Sequence, residues 1–205
     1  MQMNQTFNGW SNIGTSKLDT VMDYILTGRK AAEAKPDMWI VSQLGSPNDT
    51  RTILDFGCGV GRNTFGMAFH SPAWMVTGYD NANMLSHCEE YYKLHYSPPI
   101  PPNVHFSSDW EVVKTQKFDN IVCCLVLQHI YEDALSQYIA DFKNMTKNLM
   151  VAGRRINDDP NKGRSTWTIL QENGLTPSVF LHGATRIPFQ PEGEPEEHNV
   201  AIYTL

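Results

Sequence analysis

The sequence has no long hydrophobic run. None of its apolar stretches approaches the roughly 18 to 20 residues that a membrane-spanning helix requires. The first ten residues, MQMNQTFNGW, contain no basic region followed by an apolar stretch, so we expect no secretory signal. Together these two absences predict a cytoplasmic protein that does not associate with membranes.

Paired cysteines are absent as well. The chain has four cysteines in 205 residues, and Cys123 and Cys124 are neighbours within an apolar run. Without a CxxC pair, this spacing suits neither a disulfide framework nor a tetrahedral zinc site, and we predict no metal centre. We expect Cys88, Cys123 and Cys124 to be buried and unreactive, as free cysteines usually are.

Positive charge is scarce. Lysine and arginine total 16 against 22 aspartates and glutamates, which gives a formal net charge of −6. Proteins that bind nucleic-acid phosphates usually carry a basic stripe, whereas basic residues concentrate here only at Arg154–Arg155 and Lys162–Arg164. The charge therefore argues against a general nucleic-acid binder, although a local patch could still serve that role.

Strand and helix patterns alternate along most of the chain. Two amphipathic helices, near residues 18–26 and 36–44, precede seven predicted strands. Alternation of this kind favours a mostly parallel sheet with helices on both faces, and the last two strands predict an antiparallel hairpin at one edge. We expect one domain over 1–205, with N-terminal helices in 1–45 and an α/β core in 50–205. The predicted strands are Thr52–Phe56, Trp74–Tyr79, Val104–Ser107, Phe118–Leu125, Asn148–Arg154, Thr176–His182 and His198–Thr204.

A glycine-rich turn follows the first predicted strand, in the segment ILDFGCGVGRNT. Gly57, Gly59 and Gly61 can adopt positive φ and allow another molecule to approach the backbone closely. The helix that follows offers unpaired N–H groups at its first turn. Asp55, at the carboxyl end of the strand, is expected to face the crevice in which open α/β sheets bind ligands.

The spacing of these glycines separates two kinds of nucleotide site. A dinucleotide dehydrogenase has G-x-G-x-x-G, whereas this chain has G-x-G-x-G with Arg62 at the dehydrogenase's third glycine position. A carboxylate two residues before the first glycine is poorly placed beside a pyrophosphate and well placed beside a cation. The pattern therefore disfavours a nicotinamide-dependent oxidoreductase, which stays open as an alternative.

The segment DFGCGVG resembles the first motif of class I, Rossmann-like S-adenosylmethionine (SAM)-dependent methyltransferases. The resemblance implies a doubly wound, seven-stranded sheet and a glycine loop that lies against the methionine part of the cofactor. Cys58 takes a position that the family fills with small residues, so we interpret it as a packing residue. The residues assigned here to the cofactor are Asp55, Gly57, Cys58, Gly59, Gly61 and Asn63.

Three later segments extend the resemblance over residues 50–205. VTGYD ends in Asp80, which resembles the acidic residue that accepts from the ribose hydroxyls, and Asn81 and Met84 match positions that line the adenine. FSSDW resembles the segment near the adenine amino group. FDNIVCCLVLQHI resembles the fourth motif, which runs beneath the cofactor. The residues implied by these last two segments are Ser108, Asp109, Trp110, Leu125 and Gln128.

His129 is the candidate catalytic residue, because it follows the fourth strand and an imidazole suits proton transfer near neutral pH. The alternative is that His129 makes a structural hydrogen bond in that loop or contacts the cofactor without taking a proton. We expect the acceptor pocket to form from residues 1–35, the loops after strands four and five, and the loop 183–197.

The acceptor class is narrowed by motifs that the sequence lacks. It has no (D/N/S)PP(Y/F/W) segment and no proline-cysteine pair after the fourth strand, two features of DNA methyltransferases. It also lacks the K-D-K-E pattern of 2′-O RNA methyltransferases. We therefore predict a small-molecule O or N acceptor, with S-adenosylhomocysteine as product. A protein or RNA acceptor, and an inactive partner subunit that binds SAM, remain alternatives.

Overall fold

The computed structural model describes residues 12–26, 29–153, 165–182, 185–189 and 199–205. The basic residues Arg154–Arg155 and Lys162–Arg164 lie outside these ranges, as do residues 1–11 and most of the loop 183–197. The described residues form two compact units, one within 12–113 and one within 114–205, and each is described by itself.

The first unit is built around three parallel strands in the order β3-β2-β1. Leu54 pairs with Thr77 and Gly78 with Phe106, so the carboxyl ends of the strands meet at one edge. The predicted bounds of the second and third strands are confirmed. The elements are α1 Leu18–Leu26, a 3-10 turn Ala31–Glu33, α2 Met38–Ser42, β1 Arg51–Phe56, α3 Arg62–His70, β2 Trp74–Tyr79, α4 Ala82–Leu85, α5 Cys88–His95, β3 Val104–Ser107 and α6 Trp110–Val113.

Aromatic rings join α3 to the elements around it. The ring of Phe65 lies 4.9 Å from that of Tyr92 on α5 and 5.5 Å from that of Phe106 on β3. Pairs of this kind each contribute roughly 0.5–1.5 kcal/mol beyond the area they bury. This cluster fixes the position of α3, the helix that follows the glycine-rich turn.

The stretch 82–96 contains two short helices, α4 and α5, and not one continuous helix. Asn81 Oδ1 accepts from Met84 N at 3.0 Å and caps α4, and the His87 N–H donates to the Met84 carbonyl, a tighter bond than that of an α-helix. The His87 ring Nε2 lies 2.8 Å from the Gly14 carbonyl oxygen. This contact with a distant segment favours the break at Ser86–His87, which periodicity alone does not indicate.

The chain between α1 and α2 is held through its backbone by side chains of α3 and α5. Each of four bonds joins a side chain of α3 or α5 to a carbonyl or N–H of residues 31–37, at 2.5 to 2.9 Å. The bonds join Tyr91 to Ala34, His95 to Ala31, Arg62 to Lys35 and Asn63 to Asp37.

The second unit has strand order β4-β5-β8-β6-β7. β4 and β5 are parallel, whereas β8 is antiparallel to both β5 and β6. The elements are β4 Asn120–Cys124, a 3-10 turn Leu127–His129, α7 Glu132–Met145, β5 Asn148–Gly153, α8 Thr166–Glu172, β6 Val179–His182, β7 Thr185–Arg186 and β8 Asn199–Thr204.

These strands confirm the α/β class and the antiparallel C-terminal pair, but the predicted count of seven is wrong. The eighth is β7, a two-residue exposed strand that pairs with β6 at Leu181 and Arg186. It is too short to produce an alternating pattern in the sequence. β5 and β8 are buried along most of their length, as expected for strands with neighbours on both sides.

The cysteines differ in burial. Cys88 and Cys123 are buried as predicted, whereas Cys124, the last residue of β4, is only half-buried. Within the described ranges, no three His, Cys, Asp or Glu side chains are grouped so as to hold a metal ion. No helix in the described part of the chain is long and apolar enough to cross a membrane.

Asn103 connects three parts of the first unit. Its buried Nδ2 lies 2.8 Å from the Trp74 carbonyl oxygen, 3.3 Å from that of Ala68 and 3.4 Å from that of Ser71. The amide thus joins the end of α3 and the start of β2 to the residue before β3. Removal of a buried donor that faces several carbonyl oxygens destabilises the fold, because those acceptors lose their hydrogen-bond partner.

We expect Asn103→Asp to destabilise the protein by about 2 to 4 kcal/mol, because an acceptor would replace the donor that faces three carbonyl oxygens. Urea unfolding measures this change. The matched control is Asn144→Asp, at an exposed amide that donates to the Ala140 carbonyl, and it should cost less than about 1 kcal/mol. Equal losses in the two variants would contradict the role given to Asn103.

Candidate functional site

The glycine loop, defined here as residues 57–61, turns back across the end of β2. Gly57, Gly59 and Gly61 have φ of 73°, 59° and 81°, so all three adopt the positive φ that glycine permits. The N–H groups of Gly57 and Cys58 both donate to the Tyr79 carbonyl, at 2.8 and 3.0 Å. Backbone bonds therefore fix the path of the loop.

Two of the loop glycines differ in what surrounds them. A Cβ on Gly61 would lie 2.9 Å from both Phe106 and Phe65, so packing as well as φ requires glycine there. A Cβ on Gly59 would lie 3.6 Å from Ile25 Cδ1 and 3.7 Å from Met84 Cε, which are ordinary contacts. Side chains of both α1 and α4 thus lie close to Gly59.

Asp55 lies at the carboxyl end of β1, buried beside the glycine loop. Its Oδ2 accepts from the Thr64 hydroxyl at 2.6 Å. Burial raises the pKa of Asp55 from 3.8 to about 6, while the hydrogen bonds from Thr64 and the charge of Arg62 act in the opposite direction. The carboxyl is consequently near its titration midpoint just below neutral pH.

Asp80, directly after β2, ties the glycine loop to that strand. Oδ2 accepts from Gly59 N at 2.7 Å, and Oδ1 accepts from the backbone and side-chain amides of Asn81 at 2.7 and 2.9 Å. Burial raises the pKa of Asp80 to about 6, opposed by the N–H groups of Gly59 and Asn81 and reinforced by the Asp55 charge. These three bonds take three of the roughly four acceptor positions of a carboxylate.

This arrangement restricts how Asp80 can receive a ligand. One hydroxyl can be accommodated at Oδ2 with the bonds as they stand. A pair of ribose hydroxyls, the partner that the resemblance implies, requires the side-chain amide of Asn81 to move aside.

Asn63, Asn81 and Met84 have structural contacts beside their predicted cofactor roles. Asn63 is buried, and its Oδ1 accepts from Asp37 N at 2.9 Å. Asn81 caps α4 through Met84 N, and the Met84 side chain is buried near Gly59. All three lie around the glycine loop, as the motif positions predict.

The residues after β3 divide between surface and core. Ser108 and Asp109 are exposed, and Asp109 Oδ1 accepts from Glu111 N at 3.0 Å, which caps α6. Trp110 is 3% exposed, with ring centroids 5.3 Å from Phe56 and 5.0 Å from Tyr79. Its indole therefore belongs to the hydrophobic core, and its assignment to the adenine stays a prediction.

Leu125, Gln128 and His129 lie in the second unit, on the carboxyl side of β4. Leu125 has φ 58°, a conformation that is strained for a leucine, and its N–H donates to the Ala152 carbonyl at 2.7 Å. Gln128 is buried with Oε1 close to Gly153, and its Nε2 lies 3.4 Å from Nε2 of the half-buried His129. Strain at a strand end of this kind is typical of functional sites.

Cys58 is buried under the glycine loop, with Sγ 2.9 Å from where a Cβ on Gly78 would lie. Burial, reinforced by Cys88, Asp80 and Asp55, raises the pKa of its thiol well above the usual range. A thiol that stays protonated is a poor nucleophile, which supports the packing role.

Sequence reasoning did not identify Thr64, nor the strained backbone of Leu125. A signal for Thr64 was present: it is a hydroxyl residue in the first turn of the helix after the glycine loop, nine residues beyond Asp55. No local feature of the sequence indicates a positive φ at a leucine.

Comparisons with known proteins agree with this geometry. Residues 53–148 match the family model of a methyltransferase domain. A search of curated proteins gives no match.

Among solved structures, an O-methyltransferase family protein from Burkholderia thailandensis is 15% identical, with a TM-score of 0.58 over 82% of this chain and 55% of that protein. This chain therefore spans little more than half of the Burkholderia protein. A TehB-like SAM-dependent methyltransferase from Corynebacterium glutamicum is 17% identical, with a TM-score of 0.58 over 96% of this chain and 94% of that one.

A magnesium protoporphyrin IX methyltransferase from Synechocystis PCC 6803, solved with bound SAM, is 17% identical, with a TM-score of 0.55 over 80% of this chain and 74% of that protein. At these identities the three structures establish the fold, and the predicted Rossmann-like arrangement is confirmed.

The raised pKa values lead to an unusual dependence of stability on pH. Because Asp55 and Asp80 titrate near 6 when folded and near 4 when unfolded, the folded state binds more protons between these values. Each carboxyl should therefore add about 1 kcal/mol of stability as the pH falls from 7.5 to 5. Urea unfolding measures the free energy of unfolding at the two pH values. Its increase from pH 7.5 to pH 5 should be smaller in Asp55→Asn than in wild type by about 1 kcal/mol. Identical changes in wild type and variant would contradict a raised pKa at Asp55.

The strain at Leu125 can be measured by comparing two truncations. Leu125→Gly and Leu125→Ala both remove the leucine side chain, but only glycine adopts a positive φ without penalty. We expect the glycine variant to be more stable than the alanine variant by about 1 kcal/mol in urea unfolding. An alanine variant of equal or greater stability would show that the backbone there is not left-handed.

Proposed function

Residues 53–148 form a methyltransferase domain of the class I, SAM-dependent kind, and from this premise we propose that the protein transfers a methyl group from SAM to a small-molecule O or N acceptor. The observation that carries the proposal is the glycine loop held between two buried carboxylates. Asp55 lies at its start, and Asp80 accepts from Gly59 N in its middle.

The residues of the loop fit such a cofactor. SAM carries an ammonium and a sulfonium group, and a buried carboxylate such as Asp55 gains stability from a nearby cation. Gly59 places no side-chain atom on the loop, so another molecule can approach its backbone closely. We assign the methionine part to the glycine loop with Asp55, and the ribose to Asp80.

When bound, SAM supplies a methyl group already activated by the sulfonium. The work left to the protein is to hold the donor and acceptor in line and to exclude water. We assign orientation of the adenosyl part to Asp80 and Asn81. Asp109, whose carboxylate is exposed after β3, is the candidate contact for the adenine amino group.

His129 is our candidate for the group that receives a proton from the acceptor. It is half-buried on the carboxyl side of β4, and its ring Nε2 lies 3.4 Å from the amide of buried Gln128. The Gln128 amide nitrogen can only donate, so this contact occupies the Nε2 lone pair, and Gln128 would have to turn away before Nε2 receives a proton. An acceptor that ionises readily needs no such base, so the chemistry of the acceptor decides whether His129 takes part.

A small-molecule acceptor is supported by two observations. The formal net charge of −6 is unfavourable for binding nucleic-acid phosphates. The similar Synechocystis protein is named for a small-molecule acceptor, magnesium protoporphyrin IX. The similarities give no support to a nicotinamide-dependent oxidoreductase or to an inactive partner subunit.

We further propose that the N-terminal helices belong to the same domain and cover the cofactor. Ile25 of α1 lies beside Gly59, and Asn63, which follows the loop, binds the backbone just before α2. Both contacts place the N-terminal part of the chain next to the glycine loop.

Calorimetric titration with SAM, S-adenosylhomocysteine and NAD tests the cofactor. We expect saturable binding of the two adenosyl ligands and none of NAD. Asp80→Asn should weaken the binding of both adenosyl ligands at least ten-fold. The substitution replaces the charged carboxylate that accepts from Gly59 N and, in the proposal, from the ribose. Asp49→Asn, at an exposed residue paired with Arg51, is the matched control and should stay within two-fold of wild type.

Failure of wild type to bind either adenosyl ligand would overturn the proposal, and binding of NAD alone would favour the oxidoreductase. If SAM binds, release of S-adenosylhomocysteine in a screen of small acceptors separates an active enzyme from an inactive subunit.

A further inference from the structure

Thr64 makes a direct contact with the carboxylate at the start of the glycine loop. It lies in the first turn of α3 and is fully buried, as is the carboxyl of Asp55. The distance from Thr64 Oγ1 to Asp55 Oδ2 is 2.6 Å, within the range of hydroxyl-to-carboxylate hydrogen bonds. This bond joins the end of β1 to the helix on the far side of the loop.

We propose that Thr64 is a positioning residue for the cofactor, whose hydroxyl holds the Asp55 carboxylate in one orientation and in its charged form. The part of this assignment that concerns the cofactor rests on the proposed function, in which Asp55 faces SAM. The effect of Thr64 on Asp55 itself is a property of the protein without ligand.

The physical reason lies in how a buried carboxylate keeps its charge. Without hydrogen-bond donors a carboxylate removed from water takes up a proton. A hydroxyl that donates to the ionised form opposes this, and such charge-assisted bonds are about twice as strong as neutral ones. Burial raises the pKa of Asp55, and among the groups that lower it the Thr64 side chain has the largest effect.

The other groups around Asp55 do not replace this donor. Arg62 favours the charged form, but its guanidinium Nη1 donates to the Lys35 carbonyl at 2.8 Å, directed toward the N-terminal segment. Asp80 is a second acid, and the repulsion between the two negative charges disfavours ionisation. The thiols of Cys58 and Cys88 have raised pKa values and so remain neutral at physiological pH.

The geometry also explains why threonine suits this position. Thr64 supplies a backbone hydrogen bond to Asp55 as well as the hydroxyl. Valine has nearly the same shape but no hydroxyl, so Thr64→Val removes the side-chain donor alone, and Thr64→Ser retains it.

The decisive measurement is the titration of the Asp55 carboxyl carbon by NMR in the ligand-free protein, with the signal assigned by its loss in Asp55→Asn. We expect Thr64→Val to raise the midpoint by about one pH unit and Thr64→Ser to restore it to within a few tenths. Thr146→Val removes another hydroxyl of low exposure, which donates to the Asp119 carbonyl, and should leave the Asp55 midpoint unchanged.

Calorimetry then relates the titration to the cofactor. If SAM binds the ionised form, a midpoint raised by one unit weakens binding about five-fold at pH 6 and less than two-fold at pH 8. Thr64→Ser should follow the wild-type profile. A loss of equal size at both pH values would instead indicate a general disturbance of the loop and would contradict the proposal.

The outcomes distinguish this inference from the proposed function. An unshifted Asp55 midpoint in folded Thr64→Val overturns the role of Thr64, whether or not SAM binds. Absence of SAM binding in wild type overturns the proposed function and leaves the NMR test valid. If Thr64→Val does not fold, Thr64→Ala is titrated in its place, with the same expected shift.

Discussion

The hydrogen bond from Gly59 N to Asp80 is the contact on which the arrangement of this site depends. The glycine loop has to leave β1, reverse direction and begin α3 within five residues, and its three glycines adopt the left-handed region to do so. Backbone donation to Tyr79 fixes the first part of the loop, and the Asp80 carboxylate fixes its centre. The helix start, with Asn63 and Thr64, takes its place from that path.

Two buried acids lie beside the glycine loop, Asp80 at its centre and Asp55 just before it. Burial raises the pKa of both Asp55 and Asp80 to about 6, so the charged forms that suit a cationic ligand are costly in the protein alone. Thr64, Gly59 and Asn81 each donate to one of these carboxylates and reduce that cost. A site of this kind stores unfavourable electrostatic energy that a cation can relieve, which agrees with clustering of perturbed pKa values at functional sites.

Sequence patterns predicted the parts of the fold that depend on local periodicity. The bounds of β2 and β3 agree with the prediction, and the loop glycines adopt the positive φ that glycine permits. What the patterns missed depends on distant contacts. His87 meets Gly14 and interrupts a helix, β7 exists through its pairing with β6, and Thr64 meets a carboxylate nine residues earlier. The identity of the methyl acceptor leaves no periodic signal in the sequence.

The bonds that fasten residues 31–37 use backbone atoms of that segment. Because these bonds do not involve side chains of the segment, they place no demand on its exposed positions Ala32, Glu33 and Lys35. Those positions can change over evolutionary time, or in a designed library, without loss of the attachment, whereas Ala31 and Ala34 are constrained because they are buried. Diversification of the surface next to the glycine loop is thereby uncoupled from maintenance of the fold.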